Sequence, residues 1–133
     1  MGGALNHRMG LYDGILIKDN HIQTCGGVGK AVSRMKKKAP HLLKIEVEVA
    51  NIDQTKEAVA AGADVIMLDN MNISEMEEAM VVINKRALVE VSGNVSRSKL
   101  KQLADLGVNI ISIGALTHSA RSVDLSMNIK PVV

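Results

Sequence analysis

The chain has 133 residues, 47% of them hydrophobic, with a net charge of +2 and an aromatic content of 1%. That length supports one domain with a real core, while the weak charge and the near absence of stacking rings argue against a single-stranded nucleic-acid binder. The lone cysteine, Cys25, excludes an internal disulfide and a cysteine zinc cluster, and no apolar run approaches the roughly 18 residues that span a bilayer.

The segment Met1-Gly-Gly-Ala-Leu-Asn-His-Arg has no apolar signal core, so a cytoplasmic compartment is the default expectation and no membrane partner is implied. Ile15-Leu16-Ile17 is the first short apolar run, and it stops on Lys18-Asp19-Asn20. Helical spacing follows from Val28 to Ala39, with Val28, Ala31, Val32 and Met35 on one face. Lys36-Lys37-Lys38 ends that stretch and reads as a solvated face that suits the helix dipole, not as a nucleic-acid patch. Ile45-Glu46-Val47 runs into Glu48, and Asn51 is a good N-cap for a helix over Ile52–Ala61. Val65-Ile66-Met67-Leu68 stops on Asp69-Asn70, and a helix is predicted from Ile73 to Ile83. Leu88-Val89-Glu90-Val91 gives way to Ser92-Gly93-Asn94. Ser96 or Ser98 then caps a stretch with Leu100, Leu103, Ala104 and Leu106, which Gly107 ends. Ile110-Ile111-Ser112-Ile113 runs into Gly114.

Such runs are what buried parallel strands look like, and their alternation with helices implies crossover units. The last four strand ends fall roughly 20 to 24 residues apart, one βα unit each. Five units make an open doubly wound sheet or part of a barrel. Functional residues at every strand end, and two glycine turns at the last two, favour a partial TIM-like (β/α) barrel over residues 1–133. Five units do not close an eight-stranded barrel, so an upstream portion is expected.

Ligands gather at the carboxyl ends of such strands. Glu48 and Asp69 are carboxylates suited to Mg²⁺, directly or through water, or to stabilising a cationic sugar. The alternative for either is capping of the next helix. Glu46 shares the sheet face of Glu48, which is preferred because it is nearer the strand end. Ser92-Gly93-Asn94 and Gly114-Ala115 offer backbone amides to a phosphate. His7, Arg8 and Lys18 are candidates for an anion pocket. Lys18 is the strongest of the three, because a lysine against an apolar run needs an anion when buried. His21 is read as orienting the Asp19-Asn20 loop, and Cys25 has no neighbouring base.

Together, Asn6-His7-Arg8-Met9-Gly10-Leu11, Leu16-Ile17-Lys18-Asp19-Asn20-His21-Ile22, Ile45-Glu46-Val47-Glu48-Val49, Ala61-Gly62-Ala63-Asp64, Met67-Leu68-Asp69-Asn70-Met71, Val91-Ser92-Gly93-Asn94 and Ile113-Gly114-Ala115-Leu116-Thr117-His118-Ser119 carry a resemblance. The chain resembles the quinolinate phosphoribosyltransferases. That resemblance implies transfer from phosphoribosyl pyrophosphate to quinolinate with loss of CO₂, giving nicotinate mononucleotide and pyrophosphate, with Mg²⁺, in NAD biosynthesis. It implies that His7, Arg8 and Lys18 bind the pyridine dicarboxylate. Glu48 and Asp69 then face ribose and metal, and Ser92, Gly93, Asn94, Gly114 and Ala115 hold the sugar phosphate. A homo-oligomer, dimer or higher, is implied too. The family's separate N-terminal domain and Thr-Arg-Lys-Thr-like strand have no counterpart in these residues. Two alternatives are a related transferase with another acceptor, such as the homologue associated with molybdenum transport, and a non-catalytic barrel fragment that serves assembly.

Overall fold

The short apolar runs do form strands. A computed structural model describes residues 3–131 and contains β1 (Ile15–Ile17), β2 (Ile45–Val49), β3 (Val65–Asp69), β4 (Leu88–Ser92) and β5 (Ile110–Ile111). All neighbours pair in parallel, and the spatial order is the chain order, β1-β2-β3-β4-β5. Every connection therefore steps the same way across the sheet. Right-handed crossovers then place every intervening helix on one face.

Side-chain alternation shows the two faces directly. Ile17, Ile45, Val47, Val49, Ile66, Leu68, Val89 and Val91 pack in one buried cluster with helix residues such as Val32, Ala58, Ala79 and Leu103. Glu46, Val65, Met67 and Glu90 are also buried but lie outside that cluster, on the opposite face. A doubly wound sheet would carry helices on both faces, so the layout is that of a barrel segment. Closure is absent among the described residues, since β1 and β5 each have a single strand neighbour.

The helices are α1 (Asp19–Cys25), α2 (Val28–Lys36), α3 (Ile52–Ala61), α4 (Ile73–Ile83), α5 (Leu100–Leu106), entered through a 3₁₀ turn at Arg97–Lys99, and α6 (Ala115–His118). Strong end signals gave α3 and α4 their predicted bounds. The Asn51 side chain accepts from Gln54 N–H at 2.9 Å, and Asn72 and Glu75 cap each other's backbone N–H groups. Gly107, in the left-handed region, ends α5 as expected.

Three elements differ from the sequence reading. The α2 helix stops at Lys36 rather than Ala39, because the Lys38 and Ala39 N–H groups both turn back to Met35 O ahead of Pro40. The α1 helix occupies what reads as a rim loop. Its seven residues bury only Ile22 fully, too little to leave an apolar stripe in the sequence. His21 Nδ1 accepts the Lys18 N–H at 3.0 Å, so its ring orients the start of this helix. The last strand ends at Ile111, because an edge strand with one partner holds fewer ladder bonds. Lys36, Lys37 and Lys38 are all exposed, as a solvated face requires.

Candidate active site

Parallel register determines which side chains share a row on the helix-free face. Leu16 stands beside Glu46, Glu46 beside Val65, Glu48 beside Met67, Met67 beside Glu90, and Asp69 beside Ser92. Two layers result. Glu46 and Glu90 lie within the sheet, while Glu48, Asp69 and Ser92 lie towards the carboxyl ends of the strands.

The capping alternative for Glu48 and Asp69 is removed by the helix starts. Asn51 caps α3 and Asn72 caps α4, which leaves both carboxylates available at the rim. Glu48 is partly buried and meets Lys18, with Nζ and Oε2 3.6 Å apart. Asp69 accepts from Asn70 Nδ2 at 2.8 Å. From strand spacing and rise, their Cα atoms stand about 8 Å apart on the diagonal. Oxygen donors of this kind fit Mg²⁺, which keeps several waters between itself and a protein. The argument that burial forces Lys18 to find an anion does not hold. Its side chain is 53% exposed, and its pairing with Glu48 is a surface contact of small energetic weight.

The two glycine turns come together. Ser92, Gly93, Asn94, Ser112, Gly114 and Ala115 line one cavity of about 250 Å³ at the ends of β4 and β5, with His118 at its edge. Gly93 has φ +84°, and a Cβ there would collide with the Asn70 side-chain amide. That amide oxygen accepts from Asn94 Nδ2 at 3.0 Å, which ties the β3 and β4 loops together. The space and the left-handed backbone both require glycine at 93. Gly114 is different: its φ is −61°, and its open side is covered by the His118 ring.

The three cationic candidates are distributed, not gathered. Lys18 is at the carboxyl end of β1. Arg8 donates to Gly14 O at 3.4 Å, before the other end of that strand. His7 and Arg8 line a separate cavity of about 360 Å³ with Asp13, Gly14, Lys44 and Glu46, at the amino ends of the strands. Asp13 holds this segment by accepting from the Met9 and Gly10 N–H groups, and those bonds lower its carboxyl below the usual value.

Sequence reasoning did not single out Glu90 or Ser112. Glu90 is 2% exposed in the middle of β4, and Ser112 Oγ donates to its Oε1. The same oxygen lies 3.5 Å from His7 Nε2, and Glu46 Oε2 lies 3.0 Å from that nitrogen. His7, Glu46 and Glu90 thus make a three-donor His/carboxylate group among the described residues, separate from the Glu48 and Asp69 pair at the rim. Burial first, and the neighbouring Glu90 carboxyl second, push Glu46 up to about 8. Its Oε1 is buried without a hydrogen-bond partner among the described residues. A charged residue inside an apolar strand run was the available signal: Glu90 interrupts Leu88-Val89-Glu90-Val91 as Glu46 interrupts Ile45-Glu46-Val47.

A one-sided parallel α/β sheet, with carboxylates and a glycine-lined cavity along its carboxyl rim, has the arrangement of a barrel enzyme's catalytic face. Residues 1–128 match the family described as "Quinolinate phosphoribosyl transferase, C-terminal domain", and the chain belongs to that family. It is 44% identical over 128 residues to the probable nicotinate-nucleotide pyrophosphorylase (carboxylating) of Bacillus subtilis, a match covering 96% of this chain and 44% of that protein. The Methanocaldococcus jannaschii protein of the same description is 43% identical, with 97% of this chain and 48% of that protein covered. Among solved structures, NadC from Streptococcus pyogenes superposes with a TM-score of 0.85 at 43% identity, over 96% of this chain and 45% of that one. The nicotinate-nucleotide pyrophosphorylase of Francisella tularensis gives 0.83 at 43% identity, over 94% and 44%. The chain thus spans less than half the length of the relatives it matches.

Proposed function

We propose that this chain forms part of the catalytic barrel of a quinolinate phosphoribosyltransferase. Phosphoribosyl pyrophosphate and quinolinate react to give nicotinate mononucleotide, pyrophosphate and CO₂, a step of NAD biosynthesis. The observation that carries the reading is the cavity at the ends of β4 and β5. It unites Ser92, Gly93, Asn94, Gly114 and Ala115 beside the Asp69 strand end, in a chain that matches the family over residues 1–128.

In this reading the sugar 5-phosphate occupies the glycine-lined cavity, where backbone amides and the absence of a Cβ at Gly93 admit it. Glu48 and Asp69 face the ribose and would hold Mg²⁺. The ion, when bound, neutralises charge on the departing pyrophosphate. As the bond from the anomeric carbon to pyrophosphate breaks, the two carboxylates favour the positive character of the ring. The pyridine nitrogen of quinolinate then bonds to that carbon. The carboxylate on the adjacent ring carbon leaves as CO₂, the positive ring nitrogen stabilises the electron pair left on that ring carbon, and the ring carbon takes a proton from solvent to give nicotinate mononucleotide. Lys18, beside Glu48, and His7 with Arg8, beside Glu46 two residues earlier on the same strand face, bind the acceptor dianion from its two ends rather than in one pocket, so the protein contributes position and field rather than a nucleophile.

We further take the working protein to be a cytoplasmic homo-oligomer, a dimer or higher. Exposed apolar side chains at Leu5, Leu11, Leu125, Met127 and Ile129 support association, and no described helix is long and apolar enough to cross a membrane. The deciding assay follows quinolinate and phosphoribosyl pyrophosphate together, with and without Mg²⁺. Expected are stoichiometric CO₂ and nicotinate mononucleotide that depend on all three. Consumption of phosphoribosyl pyrophosphate that ignores quinolinate would overturn the acceptor assignment.

A further inference from the structure

Two buried carboxyls on one face of a sheet need a reason. Glu46 and Glu90 project from β2 and β4 over the strand between them, and the outer-face core makes no use of either. They converge on a single atom, His7 Nε2, at 3.0 Å and 3.5 Å. Glu90 is itself fixed by the Ser112 hydroxyl, which donates to the same Oε1 that approaches the ring. A ring nitrogen set between two carboxyl oxygens is matched best when it carries the hydrogen. The ring's other nitrogen, Nδ1, has no hydrogen-bond partner among the described residues, and the side chain is 31% exposed.

We propose that Glu46 and Glu90 are positioning residues for His7: they hold Nε2–H against the sheet and leave Nδ1 outward as the contact for an anionic acceptor. The inference rests on the acceptor-binding reading of His7 given above and adds the residues that make it work. A carboxylate ligand at Nδ1 requires a hydrogen there as well, and the Glu90 carboxylate behind the ring offsets the charge that results. The arrangement also explains why two acidic residues interrupt otherwise apolar strands. They serve a side chain on a segment that has no helix or strand of its own to fix it. Each glutamate acts through the imidazole, meeting its Nε2 and not the Nδ1 assigned to the acceptor.

The test reads the ring directly. Long-range ¹H–¹⁵N spectra of the whole chain, with His7 assigned by its loss in His7→Gln, report which nitrogen carries the hydrogen. The unsubstituted chain is expected to show hydrogen on Nε2 at His7, and this needs no variant to fold. In Glu90→Leu and Glu46→Leu, checked for native circular dichroism, the signal is expected to move to a mixture of tautomers. Quinolinate affinity is expected to fall about tenfold in either, with ribose 5-phosphate affinity unchanged. An Nδ1–H ring in the unsubstituted chain, or a tautomer indifferent to both substitutions, would overturn the proposal. If the Nε2–H ring is present but quinolinate does not bind the unsubstituted chain, the acceptor reading fails, and with it the use assigned to the ring. The pinning itself would stand.

Discussion

The proposed phosphate side and the proposed acceptor side of this face are built from different materials. At the ends of β4 and β5 the cavity walls are largely backbone: two glycine turns, a left-handed Asn94, and an amide bridge from Asn70. The acceptor candidates are long side chains. Lys18 is half exposed at the end of a three-residue strand, and His7 and Arg8 sit on a segment with neither helix nor strand. Backbone geometry follows from the sheet itself and needs few additional contacts. A side-chain site must be held by other side chains, as His7 is by Glu46 and Glu90. The two sides should therefore break in different ways.

The largest effect is expected on the backbone side. Gly93→Val places a β-branched residue at φ +84° against Asn70. The strain is worth about 1–3 kcal/mol of stability, and the new side chain fills space that the proposal assigns to the phosphate. Ribose 5-phosphate binding, measured by calorimetry, should disappear while quinolinate binding survives within a few-fold. Equal loss of both ligands would show that the two sides are not separable.

Lys18→Ala attacks the other side. The Lys18 side chain is half exposed and its partner Glu48 keeps access to water, so the unfolding free energy from urea titration should move by less than about 1 kcal/mol. Quinolinate affinity should fall about 10- to 100-fold, the weight of a charge-assisted hydrogen bond. Turnover that ignores this substitution would remove Lys18 from the acceptor site.

Between these sides lies the acidic pair, and its signature is the dependence of stability on pH. The folded-state carboxyl of Glu46 is held up to about 8 by burial and by Glu90. The folded chain therefore binds more protons than the unfolded chain between its ordinary value and about 8. Stability from this source is complete below the ordinary range and declines as pH rises through that window. Urea unfolding at pH 5 and pH 9 should show the loss, and Glu46→Gln should flatten it. A rise in stability over the same interval, removed by Glu46→Gln, would reverse the assignment.

What the sequence made legible follows the same division. Strands, the one-sided sheet and the β4 and β5 turns were readable because apolar runs, glycines and capping residues are local signals. Glu90 and Ser112 were not singled out. Their role depends on register across β3, β4 and β5 and on the course of the 3–14 segment, and neither is written locally. The α1 helix escaped for a related reason: with Ile22 as its only fully buried residue, it is held by its neighbours and its caps more than by its own pattern.

The smallest effect on stability tests whether the rim carboxylates are truly free of structural duty. Asn72 and Glu75 satisfy the start of α4 reciprocally, at 2.8 Å and 3.0 Å. Asn72→Ala should cost about 1 kcal/mol and leave the affinity for both ligands unchanged, because α4 stays packed through Met76, Ala79 and Ile83. Asp69→Asn, three residues away, should do the reverse. It keeps the side-chain volume and caps nothing, so thermal unfolding should be nearly unaffected while Mg²⁺-dependent turnover collapses. If instead Asp69→Asn destabilises the chain as much as Asn72→Ala does, Asp69 belongs to the helix start, and Glu48 is left as the sole acidic group for the ribose and the ion.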